Sequence, residues 1–456
     1  MGNYAHLIIA GWAFNIFWAS WIFYRWWSGK NHLLTYWNLF IAGSMNFIGF
    51  GMIQNALGLT AGGDIGSGLE NAAWIYILGT FLFYLVAGLI YYRKSTKPYQ
   101  ARSPLQWWPA DTPNALAATA CVLSFSGMVF TLLPAFPGVQ IFYVAKGPLA
   151  IAGFFLAIFA FFRTRSSPVI WFAVCLTFVI GLVTVLSQGG GRRELLGILA
   201  CPPVAIYWQV LRHRSKTKNV FWLGTVGMAG LLIISAYATI RHADRDSGLG
   251  HTGTAVARIK RLPSAITERA TNLSVFGEQG SLIDAQNGVW AGMQVITFTT
   301  IDQAIDYDWL HCFKFIVVNP IPRSLWPDKP IGLGKILPVM MGEPRVTWGP
   351  TITGHCFYDG GWVAVVIYGL LIGGGCRYLD RRIALDPDNP WQIAMFVSVI
   401  GHIIGLSRGD CGTFIVNILW GIFFVAGFAK IMLVALPRRE HQPRYELPHR
   451  PPLRNY

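Results

Sequence analysis

The feature that most constrains this chain is its series of apolar runs, each about twenty residues long. A helix needs roughly 20 apolar residues to cross a hydrocarbon core, and runs of that length fall at 6–24, 33–57, 72–92, 114–133, 147–162, 168–187, 195–211, 220–240, 361–379, 391–407 and 412–434. The sequence therefore predicts an all-α polytopic membrane protein of about eleven transmembrane helices. Only 12% of the 456 residues are charged, about half the share usual in soluble domains. The segment 285–301 is apolar but short, which suits a re-entrant or interfacial piece. Helices 1–8 form an N-terminal bundle (1–240), a long connection occupies 241–360, helices 9–11 fill 361–436, and a Pro/Arg-rich tail (437–456) reads as disordered.

Basic residues fix the orientation. If eleven helices alternate, twenty-one Lys/Arg fall on one side, among them Arg25, Arg93, Arg163, Arg212, Arg377 and those of the tail. The short connections of the other side carry only Lys146, Arg192, Arg193 and Arg408. The basic side reads as cytoplasmic, with the N-terminus outside and the C-terminus inside. This bias also accounts for the net charge of +15 without nucleic acid. The 241–360 connection faces outward with balanced charge, and "ARIKRLPSAITERATNLSVF" (257–276) reads either as a basic amphipathic helix on the bilayer or as a solvated loop helix.

The first apolar run lacks the basic leader and cleavage site of a secretory signal, and "MGNYAH" lacks the Ser/Thr of a myristoylation signal. Seven cysteines are present without metal-ligand spacing, so no metal or other cofactor is expected. Cys121, Cys175, Cys201 and Cys376 lie in apolar runs as small core residues. Cys312, Cys356 and Cys411 lie near one membrane face and could pair, although spacing alone argues weakly for it.

Chemistry concentrates at the outer face. Helix interiors hold few ionisable groups, His402 being the clearest. In "SQGGGRRELLG" (187–197) the pair Arg192–Arg193 opens a helix, where the macrodipole disfavours cations and the positive-inside bias opposes them. A bound phosphate or pyrophosphate removes both penalties; the plainer reading is snorkelling to headgroups or pairing with Glu194. "LSRGDCG" (406–412) sets Arg408 and Asp410 in a tight turn between the last two helices. In "NPIPRSLWPDKP" (319–330) Pro320, Pro322, Pro327 and Pro330 stiffen the backbone around Arg323 and Lys329. That stretch reads equally as an anion-gripping wall or as an interfacial loop packed by Pro and Trp326.

Those last segments carry a resemblance. "NPIPRSLWPDKP", the Gly/Thr-rich "GPTITGHCFYDGGWVAVVIYGLLIGG" (349–374) and "SRGD" before the final helix resemble the oligosaccharide repeat unit polymerases, the Wzy-type O-antigen and exopolysaccharide polymerases. "GGGRRELL" is similar to their outer-loop Gly-Arg element. The resemblance spans about 185–430. Where family members often show an acidic residue and "NFG", this chain has "GHCFYDGG", placing His355 and Asp359 there.

The resemblance implies a GT-C-like bundle in the bacterial inner membrane. It implies a glycosyltransferase acting at the periplasmic face that moves a growing glycan between polyprenyl-pyrophosphate carriers. Arg192, Arg193, Arg323, Lys329, Arg408 and Asp410 then bind the pyrophosphate or glycan, and His355 or Asp359 serves as base. The partners implied are the lipid-linked oligosaccharide and membrane lipid, with room for a chain-length regulator or export partner. The same charge distribution fits an O-antigen-ligase-type glycan ligase, or a transporter or flippase of lipid-linked glycans, although few charges line a transport path.

Overall fold

The computed structural model describes residues 4–59, 69–93, 108–133, 140–187, 192–222 (and parts of 224–233), 255–271, 288–319, 321, 323–343 and 347–438. Helices α1 (Ala5–Trp27), α4 (Glu70–Tyr92), α5 (Pro113–Leu132), α6 (Gln140–Arg163), α7 (Pro168–Leu186) and α8 (Arg192–Gln209) supply six apolar helices long enough to span. Two more come from the helix Thr351–Leu385 and from Cys411–Ala435. That makes eight among the described residues, and nine with the pair Pro390–Ser398 and Ile400–Arg408, which bends by 43°. The expected 33–57 run folds as α2 (Tyr36–Ser44), a π-helical stretch (Met45–Phe50) and α3 (Gly51–Ala56) in unbroken succession. Much of the expected 220–240 run lies outside the described residues.

The connection before the last helices has its own elements. These are α9 (Ala255–Thr271), α10 (Gly288–Ile296) with a π-helical extension to Ile301, α11 (His311–Val318) and α12 (Leu333–Met340), leading into α13 (Thr351–Leu385). Then come α14 (Pro390–Ser398), α15 (Ile400–Gly405) and α16 (Cys411–Ala435). Residues 288–301 are too short to cross at about 1.5 Å of rise each, yet Val289, Ala291, Met293 and Ile296 are fully buried. They enter the bundle against α4 and α13. Of α9, Lys260 and Arg261 are exposed while Ala265 is buried.

Local chemistry sets the helix ends. Pro113, Pro168 and Pro390 occupy first turns, where a missing N–H costs nothing. Asn389 accepts from the amides of Trp391 and Gln392. At α2 the cap is long-range: the Asp380 carboxylate accepts from Tyr36 N at 2.6 Å, Trp37 N at 3.1 Å and the Tyr91 hydroxyl at 2.8 Å. A carboxylate satisfies the orphan amides and opposes the helix dipole, so it pins α13 to α2 and α4. Helices α4 and α13 approach closely because Gly369 and Gly373, four apart, sit against the backbone of Phe83 and Ala87. Small residues permit such contact in apolar surroundings. Polar side chains between these helices are paired, Tyr76 with Thr351 at 2.9 Å and Thr80 with Thr353 at 2.8 Å, as an environment without water requires.

One end of the bundle collects the basic termini. Arg25 lies over the Tyr92 ring, Arg163 pairs with Asp111 at 3.1 Å, Arg212 pairs with Asp388 and Arg377 donates to Ile90 O at 3.1 Å. The opposite end holds the starts of α6, α8, α13 and α16, with Lys146, Arg193 and Arg408.

Candidate functional site

At that sparsely basic end, the SRGD turn is the hub. Gly409 at φ 120° and Asp410 at φ 54° reverse the chain between α15 and α16. Gly409 lies so close to the Gly349–Pro350–Thr351 backbone that a Cβ would collide with it, which docks the turn on the start of α13. Asp410 accepts from the Thr413 hydroxyl at 2.8 Å, and its carboxylate sits against Gly332. The proline-stiffened segment thus ends at the SRGD turn.

Behind the turn lies the His355–Asp359 pair. The spacing i, i+4 puts both on one helical face, and His355 Nδ1 stands 3.2 Å from Asp359 Oδ1. Asp359 Oδ2 also accepts from Cys312 N at 2.9 Å and from the Tyr368 hydroxyl. The helix breaks immediately afterwards, at Gly360 (φ 156°, ψ 29°) and Gly361 (φ 58°, ψ −137°). Such conformations are open to glycine and strained for other residues. The break turns the chain so that Tyr368 reaches back to Asp359. Trp309 lies against Gly360 and Tyr307 against Gly361, while Asp308 N donates to Tyr358 O at 3.1 Å.

Asp308 in turn holds His311 Nδ1 at 2.6 Å and Lys314 Nζ at 2.7 Å, and His311 Nε2 faces Ile331 O at 3.0 Å. Burial pulls the Asp308 carboxyl upward, but the hydrogen bonds from Lys314 and His311 outweigh it and hold it below its ordinary value.

His355 and Asp359 are only 1% and 2% exposed. At their 3.2 Å separation the two form an enclosed ion pair when the imidazole is protonated.

On the other side of α16, the Arg193 guanidinium lies 4.0 Å from the Phe414 ring centroid, and the His402 ring stands 6.4 Å from the same ring. Glu194 interacts electrostatically with both Lys146 and His402. Lys146, Arg193, Glu194, Arg408 and Asp410 are all half-buried, and so combine reduced solvation with access. Arg192 is the first residue of α8; its side chain and the preceding Gly189–Gly191 lie outside the described residues.

The proline-rich segment uses its cations differently. Lys329 is 8% exposed and donates to Asn319 O at 2.9 Å and Ile321 O at 2.7 Å. Arg323 is exposed and donates from one nitrogen to Pro327 O at 2.9 Å and Lys329 O at 3.2 Å. The successive turns of this Pro-rich backbone leave carbonyls without helical partners, and these two side chains supply them. Lys329 is thereby a structural clamp, while Arg323 keeps free donor nitrogens.

The structure therefore brings His355, Asp359, Arg408 and Asp410 together, with Arg323 and Lys329 on the adjoining wall and Arg193 across α16. Sequence reasoning did not single out Tyr368, the Cys312 amide, Asp308–His311 or Phe414. Only the Gly-Gly doublet following His355–Asp359 signals a chain reversal there. Among the described residues, no group of three or more His, Cys, Asp or Glu is placed to hold a metal ion. Comparison with models of known families, with curated proteins and with solved structures finds no match for this chain.

Proposed function

We propose that this protein is a bacterial inner-membrane glycosyltransferase that polymerises polyprenyl-pyrophosphate-linked oligosaccharide repeat units at the periplasmic face. The observation that carries the reading is the placement of two half-buried arginines at the start of α16, Arg193 against the Phe414 ring and Arg408 in the turn that leads into the helix. Cations held in a partly dry site, beside a turn docked on rigid helix starts, suit a pyrophosphate.

In this reading the donor pyrophosphate is held by Arg193 and Arg408, with Arg323 at the edge and Arg192 preceding Arg193 in the chain. The C1–O bond to the carrier breaks with its electron pair moving onto the pyrophosphate oxygen, whose charge these cations stabilise. An acceptor hydroxyl on the second lipid-linked glycan attacks C1 and loses its proton. Asp410 is half-buried where His355 and Asp359 are buried, and its Oδ1 is without a hydrogen-bond partner among the described residues, so in this reading it accepts that proton. His355 and Asp359 hold the turn and α13 in register.

The N-terminus lies outside and the C-terminus inside in this orientation, with the basic end of the bundle in the cytoplasm. Pairing of the polar side chains between α4 and α13 favours catalysis over a transport path. The test is reconstitution of the purified protein with a synthetic polyprenyl-pyrophosphate oligosaccharide. A product ladder climbing by whole repeat units supports a polymerase. Transfer to a different lipid acceptor without a ladder points to a ligase, and movement of intact substrate across the vesicle points to a flippase.

A further inference from the structure

The polymerase reading leaves unused a pair of buried thiols beside the site. Cys312 is the second residue of α11 and Cys411 the first of α16. Both are 1% exposed, and the two thiols are near enough to act on each other's ionisation. The two helices close tightly at this level, since Gly412 lies against the Phe315 ring and a Cβ there would come within 2.7 Å of it. Phe315 follows Cys312 by three residues, on the same helical face. Of the other cysteines, Cys356 is buried nearby on α13, while Cys121, Cys175, Cys201 and Cys376 sit on α5, α7, α8 and the distant half of α13.

We propose that Cys312 and Cys411 are joined by a disulfide that staples α11 to the start of α16. This rests on the outward orientation given above, because disulfides persist in oxidising compartments. The bond forms by exchange with a disulfide-donating thiol oxidoreductase. The Cys312 thiolate attacks the donor disulfide, giving a mixed disulfide and one donor thiolate. The Cys411 thiolate then displaces the second donor sulfur. The two cysteines give up two protons and two electrons, and the donor leaves as a dithiol. Cys312 is the attacking sulfur: the neighbouring Cys411 thiol, acting against burial, holds its thiol below the ordinary range. Because both sulfurs are enclosed in the folded protein, the bond closes as the helices assemble and is afterwards shielded from reductants.

Its consequence is local. Cys312 also supplies the amide that holds Asp359, and α11 follows the loop that covers the Gly360–Gly361 break. A covalent tie from Cys312 to Cys411 therefore fixes that cover to the residue next to the SRGD turn, keeping both sides of the site in register.

The test uses full-length protein purified without reductant, denatured in detergent and treated with a mass-adding maleimide. Two of the seven thiols should resist labelling until reductant is added, and a non-reduced digest should yield the Cys312 and Cys411 peptides linked. Cys312→Ser and Cys411→Ser should each release the partner sulfur for labelling. The wild-type peptide map decides the question even where a serine variant fails to fold. Seven labels without reductant, or a link to Cys356 instead, overturns the proposal. A reporter enzyme fused to the C-terminus separates the causes: if it is active only inside, the bond alone is refuted, and if only outside, the orientation falls with it.

Discussion

Gly361 shows how one residue sets the geometry of the site. At φ 58° and ψ −137° its backbone lies where a Cβ clashes with its own chain, and the Tyr307 ring crowds the same space. Gly361→Ala is expected to cost about 1–3 kcal/mol, read as a lower thermal midpoint of the purified protein in detergent. An unchanged midpoint would mean that the chain reversal after Asp359 is not held by this residue. Lys329 teaches a different lesson at the same scale. Its sequence context fits an anion-binding cation, but its ammonium caps two carbonyls that the prolines strand. Residue type and spacing did not distinguish those two uses, because the acceptors are backbone atoms whose directions depend on the folded turn.

At the scale of elements, partly buried carboxylates tie segments together, one of them far from its partners in sequence. Asp380 holds the first amides of α2 and the hydroxyl of Tyr91. Asp380→Ala should lower stability by at least about 2 kcal/mol, and Asp380→Asn by less, in the same unfolding measurement. Asp308 does the corresponding work for the loop over the Gly360–Gly361 break. Its folded carboxyl sits below the ordinary value of 3.8, so its stabilising effect is present above that value and is lost as pH falls through the folded one. Asp308→Asn should therefore lower the midpoint at pH 6, and the gap between variant and wild type should close as the solution is acidified below about pH 4. A gap independent of pH would show that the carboxylate charge is not what holds His311 and Lys314. The Asp380 pairing was hidden in the sequence because it joins residues remote in the chain, Asp380 and Tyr36.

At the scale of the molecule, the apolar runs made the helical membrane architecture legible, since length and composition alone decide whether a helix can cross. The interruptions were less legible. The 391–407 run reads as one span but bends by 43° without a proline inside it, and the 33–57 run passes through a π-helical stretch that its composition does not announce. The asymmetry of charge between the ends was visible in the sequence, and the structure adds that Arg193 lies on Phe414 in the first turn of α16, just after the turn that carries Arg408. The proposed function rests on that placement.

The most direct measurement compares repeat-unit addition by Arg193→Ala with that by Arg382→Ala in reconstituted vesicles supplied with polyprenyl-pyrophosphate oligosaccharide. Arg382 lies at the opposite end of α13, exposed and bound to Tyr378 at 2.7 Å, and serves as the control cation. We expect Arg193→Ala to slow ladder formation by roughly 100- to 1,000-fold while Arg382→Ala leaves the rate near that of the wild type. Equal rates for the wild type and both variants would contradict the assignment of the α16 cations to the donor pyrophosphate, and the absence of any ladder from the wild type would contradict the polymerase itself.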